Sequence, residues 1–280
     1  MTSRERVMAA VSHKQPDYVP LDLGATPSSG ISAIAYNRLK KHLGMTGGHT
    51  KIYDVVQQVV YPEQEILDRF GVDVIDIGRV FNDGPEDWYD VELADGSIGQ
   101  YPSWFHPQKQ ENGDWLVYDS ENTLIAKMPV GATFFDQTYF PYLDDYPDDY
   151  SDLDHQMGKV LWSALVHSPW DHAGDENFYQ TLRQKVLALR EQTDKALMIT
   201  CGCNLFEWGT FLRRMDNFLM DIYADPEHVQ ELVEQLMMRH LATLEKVCAP
   251  VGDIVDILRF GDDLGMDTGM FMSREKYQTL

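Results

Sequence analysis

Apolar positions along the chain recur at a helical period, then in short β-branched runs, and the two kinds of segment alternate. Thr2 or Ser3 caps a first helix, with Glu5 three residues after Thr2 in a capping-box arrangement. Val7, Met8, Ala10 and Val11 carry its apolar spacing up to the stop at Gln15-Pro16-Asp17. Tyr18 to Gly24 then predicts a short strand, and Ile31, Ile34, Leu39 and Leu43 predict a helix over 31–43. A second unit opens with Pro62 in a first helical turn, runs to Phe70-Gly71, and leads into the β-branched run Val72 to Gly78.

Residues 84–135 change character. Asp95-Gly96 and Asn112-Gly113 are hairpin-turn dipeptides flanked by aromatic and β-branched residues, which predicts an antiparallel β excursion inserted after the second strand. The span 141–154 reads as a solvated acidic connector; it lacks the glycine and glutamate of a calcium loop. Beyond it the pattern predicts a helix over 175–193, a third strand over 196–202, helices over 205–222 and 226–247, and a fourth strand over 254–260. Asp225-Pro226-Glu227 and Ser273-Arg274-Glu275 are helix starts. Strands alternating with helices imply parallel βαβ units.

Charge narrows the partners. With 23 basic and 45 acidic side chains, the formal net charge is −22. A field of that sign repels phosphate backbones and anionic lipid heads, so nucleic acid and membrane are poor partners and a small-molecule substrate is the better one. A polyanionic ligand needs a local basic pocket to overcome that field. No run approaches the roughly 18 apolar residues of a membrane span. Three cysteines, Cys201, Cys203 and Cys248, do not make a disulfide framework, which points to a reducing cytoplasm.

In parallel α/β sheets that close into barrels, function collects at the C-terminal strand ends. That rule nominates Asp22, Asp76 with Arg79, the segment Cys201 to Asn204, and Asp262 with Asp263. Asp262 and Asp263, adjacent carboxylates between glycines, are the candidate catalytic pair. One can bind substrate or hold a histidine or metal ligand, and side by side they can raise a pKa; alternatively one caps a turn and the other faces water. Asp22, Asp76, Arg79 and Asn204 are the candidate substrate-binding residues. Cys201 and Cys203 lack a second ligand pair and read as packed strand-end thiols, and His106, His167 and His172 as surface or packing histidines.

The segments Arg4 to Val11 and Pro16 to Asp22, then Phe70-Gly71-Val72-Asp73, Phe206-Glu207 with Leu212-Arg213, Asp225-Pro226-Glu227, and Asp256 to Gly265 followed by Ser273 to Tyr277, resemble in order and spacing the uroporphyrinogen decarboxylase-like superfamily, in its corrinoid-dependent methyltransferase branch. The resemblance implies a TIM-type (β/α)8 barrel, truncated after about the fourth strand, as one domain over 1–280 with the excursion 84–135 inside it. It implies methyl transfer between a corrinoid protein and a thiol, folate or methoxylated substrate. It further implies a zinc site in a later His-x-Cys-Gly region, and a homo-oligomer or a complementing C-terminal half as partner. The alternatives are a decarboxylase of porphyrin biosynthesis and a non-catalytic half-barrel subunit. The decarboxylases carry an arginine-rich loop after the first strand, whereas Gly24 to Gly30 has no arginine; their aspartate after the second strand falls near Val80, with Asp83 the nearest substitute, and their tyrosine falls at Thr210.

Overall fold

A computed structural model describes all residues, 1–280. Helix α1 (Ser3–Val11) starts on the predicted capping box: the Glu5 N–H donates to Thr2 Oγ1 at 3.2 Å and the Thr2 N–H to Glu5 Oε2 at 2.9 Å. α2 (Ala33–His42) follows, then a hairpin of β1 (Ile52–Asp54) and β2 (Val59–Val60) that the sequence reading passed over. α3 (Gln64–Phe70) begins two residues after Pro62 and ends on Gly71, whose φ of 64° lies in the left-handed region where glycine has no Cβ to clash. Next come β3 (Val74–Asp76) and the antiparallel excursion: β4 (Trp88–Glu92) paired with β5 (Ile98–Pro102), then β6 (Gln108–Lys109), β7 (Trp115–Tyr118), β8 (Leu124–Met128) and β9 (Asp136–Gln137).

The C-terminal half restores the helix–strand alternation. Short helices α4 (Leu153–Lys159) and α5 (Leu161–Ala164) lead to α6 (Phe178–Gln192), whose buried Phe178, Leu182, Val186 and Leu189 form one stripe. β10 (Ala196–Thr200) is followed by α7 (Phe206–Arg213), α8 (Met215–Ala224) and α9 (Pro226–Val251). The helix predicted over 205–222 is therefore two helices. The chain breaks at Arg214, which adopts φ 68°, and folds back so that α8 lays Phe218 against Gly209, where a Cβ would stand 2.2 Å from the ring. β11 (Ile257–Arg259), a small hairpin of β12 (Gly265–Met266) and β13 (Gly269–Met270), and α10 (Arg274–Thr279), capped by Ser273, complete the chain.

The protein is mixed α/β, and no sheet closes into a barrel. Its parallel sheet has the order β3-β10-β11, and Asp22 adds a single parallel bridge to Val74 on the outer side of β3. Four strand positions thus stand side by side in chain order. The first is not the ladder predicted over 18–24. Pro16 and Pro20 have no N–H to contribute, and toward β3 the segment keeps that bridge and the Asp73 N–H to Leu21 carbonyl bond of 2.8 Å, while the Leu21 N–H turns to the Asp73 carboxylate at 3.0 Å.

Register sorts the two faces. Asp22 pairs with Val74, Val74 with Ala196, Asp76 with Met198, Met198 with Ile257 and Thr200 with Arg259. Because side chains alternate with period two, all these residues share one face. Val74, Ala196 and Met198 pack there with Val7 of α1. The opposite face, with Ile75, Leu197 and Ile199, packs under α6 and α9.

The acidic connector is not simply solvated. Tyr142, Tyr146 and Tyr150 recur every four residues and bury against α7, α8 and α9, while Asp144, Asp145, Asp148 and Asp149 stay exposed.

The strand starts are tied to α1. Arg6 bonds Asp73 at 2.6 Å and Asp17 at 2.7 and 3.0 Å. Asp256, whose side chain is 2% exposed, bonds Arg4 at 2.7 Å, the Leu197 N–H at 2.9 Å, and Arg190 of α6. Removing that carboxylate leaves two guanidinium groups and a backbone N–H without their acceptor. Asp256→Ala is expected to lower stability by about 3 kcal/mol or more in urea denaturation. Asp253→Ala, which breaks the exposed pair with Arg183, shifts the midpoint far less.

Candidate functional site

The C-terminal ends of the strands open into a cleft of about 580 Å³. Pro27 and Ser28 form one side, Asp54 and Gln57 another, and Trp162 to Trp170, Cys201 to Phe211 and Arg259 to Asp263 the remainder. Its apolar wall is aromatic: Trp162, Phe206, Trp208 and Phe211.

Asp76 lies behind this cleft on the shared sheet face and is buried. Burial pushes its carboxyl up to about 6, against the pull of His167, the Gly78 N–H and the Tyr61 hydroxyl. Tyr61 donates to Asp76 Oδ2 at 3.0 Å. The Tyr61 ring stacks on Tyr53 at 4.0 Å, and Tyr53 meets the His167 ring edge-on at 5.0 Å. Both tyrosine hydroxyls are held well above their ordinary pKa, first by burial and then by Asp76. The Tyr53 hydroxyl is buried with no hydrogen-bond partner in the chain.

His167 lines the cleft, and its Nδ1 is 2.9 Å from the Ser168 carbonyl. A carbonyl only accepts, so Nδ1 carries the proton in that bond, and in the neutral ring the lone pair is on Nε2. The approach requires Gly78: a Cβ there would stand 2.2 Å from the Ser168 carbonyl oxygen and 2.6 Å from Asp76 Oδ2.

The other candidates divide. Asp22 is on the same sheet face as Asp76, two register positions lower; its Oδ1 accepts the Ala25 N–H at 3.0 Å, and the surrounding protein raises its pKa by desolvation. Arg79 turns away from the cleft, donates to the Pro62 carbonyl at 3.0 Å and lines a separate cavity. Asn204 is a tie within the wall: its Oδ1 accepts the Gly261 N–H at 3.0 Å and its carbonyl oxygen lies 2.8 Å from His240 Nε2. Asp262 accepts the N–H groups of Leu205 and Glu207, each at 2.9 Å, and so caps the start of α7. Asp263 stands exposed on the cleft wall. The carboxyl pushed up in this corner is Glu207, by burial first and then by Asp263 and Asp262.

Sequence reasoning missed Tyr53, Tyr61, Arg259 and the position of His167. Arg259 ends β11 on the shared face, donates to Ser28 Oγ at 2.9 Å and forms no salt bridge. Alternation from Ile257 reaches it; nothing in the spacing of Tyr53 and Tyr61 announces their stack.

Two cofactor questions follow from the donor set. Burial pushes the Cys201 thiol up to about 12 and the Cys203 thiol to about 11, so both are held protonated, and no group of three or more His, Cys, Asp or Glu side chains is arranged to hold a metal ion. These residues do not fit a zinc centre. The aromatic wall of Trp162, Phe206, Trp208 and Phe211 offers apolar surface against which a large ring can pack.

The fold and cleft define a mixed α/β protein with acid–base groups at parallel strand ends, and no helix is long and apolar enough to cross a membrane. No family model, curated protein or solved structure matches the chain.

Because the folded carboxyl of Asp76 titrates near 6 rather than at the ordinary 3.8, its contribution is favourable while neutral and is lost as pH rises through 6. Asp76→Asn, which keeps an acceptor for Tyr61, is expected to stabilise the fold by about 3 kcal/mol at pH 8 and about 1 kcal/mol at pH 4.5. Denaturation curves at the two pH values check the difference.

Proposed function

We propose that the four strand positions are the first four of a TIM-type (β/α)8 barrel. We further propose that the protein is a corrinoid-linked methyltransferase of the uroporphyrinogen decarboxylase-like superfamily, moving a methyl group between a corrinoid protein and a thiol, folate or methoxylated substrate. The observation that carries the reading is His167 on the floor of an aromatic-walled cleft, backed by the buried Asp76. The chain-order parallel strands with their acids on one face support the barrel.

A methylated corrinoid, when its partner protein is docked, supplies an electrophilic methyl group. The chain's own residues do the rest. The acceptor sits in the cleft against Arg259 and the aromatic wall. As its sulfur, nitrogen or oxygen takes the methyl carbon, its proton passes to Nε2 of His167, whose Nδ1 is held by the Ser168 carbonyl. The Asp76 carboxylate compensates the charge on that ring, and Tyr61 holds the carboxylate in place.

Arg259 favours a second reading. A strand-end guanidinium without a carboxylate partner suits an acidic substrate, and the same site then serves a decarboxylase acting on a small carboxylic acid. The outer edge of β11 pairs with no strand, and Phe260, Met266, Met270 and Tyr277 beyond it are exposed, which supports self-association or a partner chain that completes the sheet.

The test is demethylation of methylcobalamin by the protein with its sheet completed, since a half barrel alone is expected to be inactive, with a panel of thiols and folates, followed by absorbance. At least one acceptor is expected to react, and His167→Gln is expected to slow the reaction about 100-fold. No demethylation with any acceptor removes the reading.

A further inference from the structure

Behind Tyr61, on the side away from the cleft, lies a second cavity of about 360 Å³ lined by His49, Lys51, Glu63, Arg79, Asp83 and Trp88 among others. Two cations share it without carboxylate partners. Arg79 is half-buried, spends one N–H on the Pro62 carbonyl, and forms no salt bridge. Lys51 is half-buried with its ammonium 5.0 Å from the centre of the Trp88 ring, and it too forms no salt bridge. Burial lowers the pKa of both, and the more distant charges of Asp87 and Asp83 at Lys51 and of Asp76 at Arg79 offset it only in part.

In a chain with 45 acidic side chains, a nearby carboxylate is the easy solution, and it is not used. The carboxylates present are committed elsewhere. Glu63 is paired with Lys40 at 3.1 Å and also accepts from Tyr36 and the His49 N–H. Asp87 accepts the Gly84 N–H at 2.9 Å. Asp83 alone is uncommitted, and it is exposed. Two desolvated donors facing one cavity, with no carboxylate in ion-pair contact with either, leave an unfilled place for one negative charge.

We propose that this cavity is an oxyanion site, in which Arg79 and Lys51 grip a carboxylate or phosphate group of a small ligand. The site is separate from the methyl-transfer cleft and does not depend on that reaction. Tyr61 lines the cavity and also donates to Asp76, so an anion bound here stands one side chain from the buried carboxyl.

Calorimetric titration of the chain with inorganic phosphate, and separately with acetate, at ionic strength held constant with chloride, tests the site. Saturable one-site binding of phosphate, or of both anions, is expected; the acetate arm tells a carboxylate site from one that needs phosphate. Arg79→Gln is expected to weaken binding at least about tenfold. Asp83→Asn is expected to tighten it, because it removes an unpaired like charge from the cavity wall. Lys51→Met provides a second reading should Arg79→Gln fail to fold by circular dichroism. Absence of saturable heat with either anion, or unchanged binding in the folded Arg79 or Lys51 variant, overturns the proposal.

Discussion

The clamp of α1 across the starting ends of the parallel strands is the constraint on which the rest depends. Arg4 and Arg6 sit two residues apart on one helix and reach Asp256 before β11 and Asp73 before β3, while the Arg4 N–H bonds the Asp194 carbonyl ahead of β10. Three strand starts are thereby held by one helical turn. The guanidinium of Arg6 also lies 3.5 Å from the centre of the Tyr18 ring, which covers it from one side. Buried ion pairs of this kind add little net stability compared with an apolar replacement, but breaking one partner is costly. Their effect is positional: they fix which residue of each strand is level with which.

Level and face together decide the chemistry. Once Val74, Ala196 and Met198 are packed under Val7, the period-two alternation delivers Asp76 and then Arg259 to the same face, farther toward the open end. Asp76 sits in a place suited to an apolar side chain, and burial raises its pKa accordingly. A fold selected for stability alone has no use for a carboxyl there. Its hydrogen bond from Tyr61, the stacked Tyr53 and the glycine that admits the Ser168 carbonyl are all arrangements around that one group.

Much of this was legible in the residues, for reasons that also explain what was not. The capping box at Thr2 and Glu5, Gly71 after α3, and the Asp225-Pro226 start of α9 are local signals, and each element begins or ends within a residue or two of them. The two turn dipeptides of the excursion fall between paired strands, with Gly96 at φ 78° and Gly113 at φ 92°. The helix break at Arg214 has no glycine or proline to mark it; packing of Phe218 onto Gly209 overrides the propensity. The tyrosine spacing in the acidic connector was masked by the aspartates between. At the site, the strand-end rule found Asp76, but it had no means of separating Asp262, whose oxygens are consumed by backbone N–H groups, from a free acid. His167 lies on the chain far from any strand end and reaches the cleft only through tertiary packing.

The net charge of −22 casts these positions in another light. Most carboxylates can remain at the surface, where water screens them and none needs a partner. Against that background, a cation that is partly buried and has no carboxylate partner carries a desolvation cost that calls for an acceptor. Arg259 at the end of β11 and the pair Arg79 and Lys51 behind Tyr61 are half-buried, unpaired and separated by the Tyr53–Tyr61 stack and Asp76. The global field disfavours anions at long range, so affinity for one has to come from donors at contact distance in a site where water is scarce. An anion held at either place would be selected by local geometry and would gain nothing from electrostatic steering, which is the opposite of what a basic surface achieves.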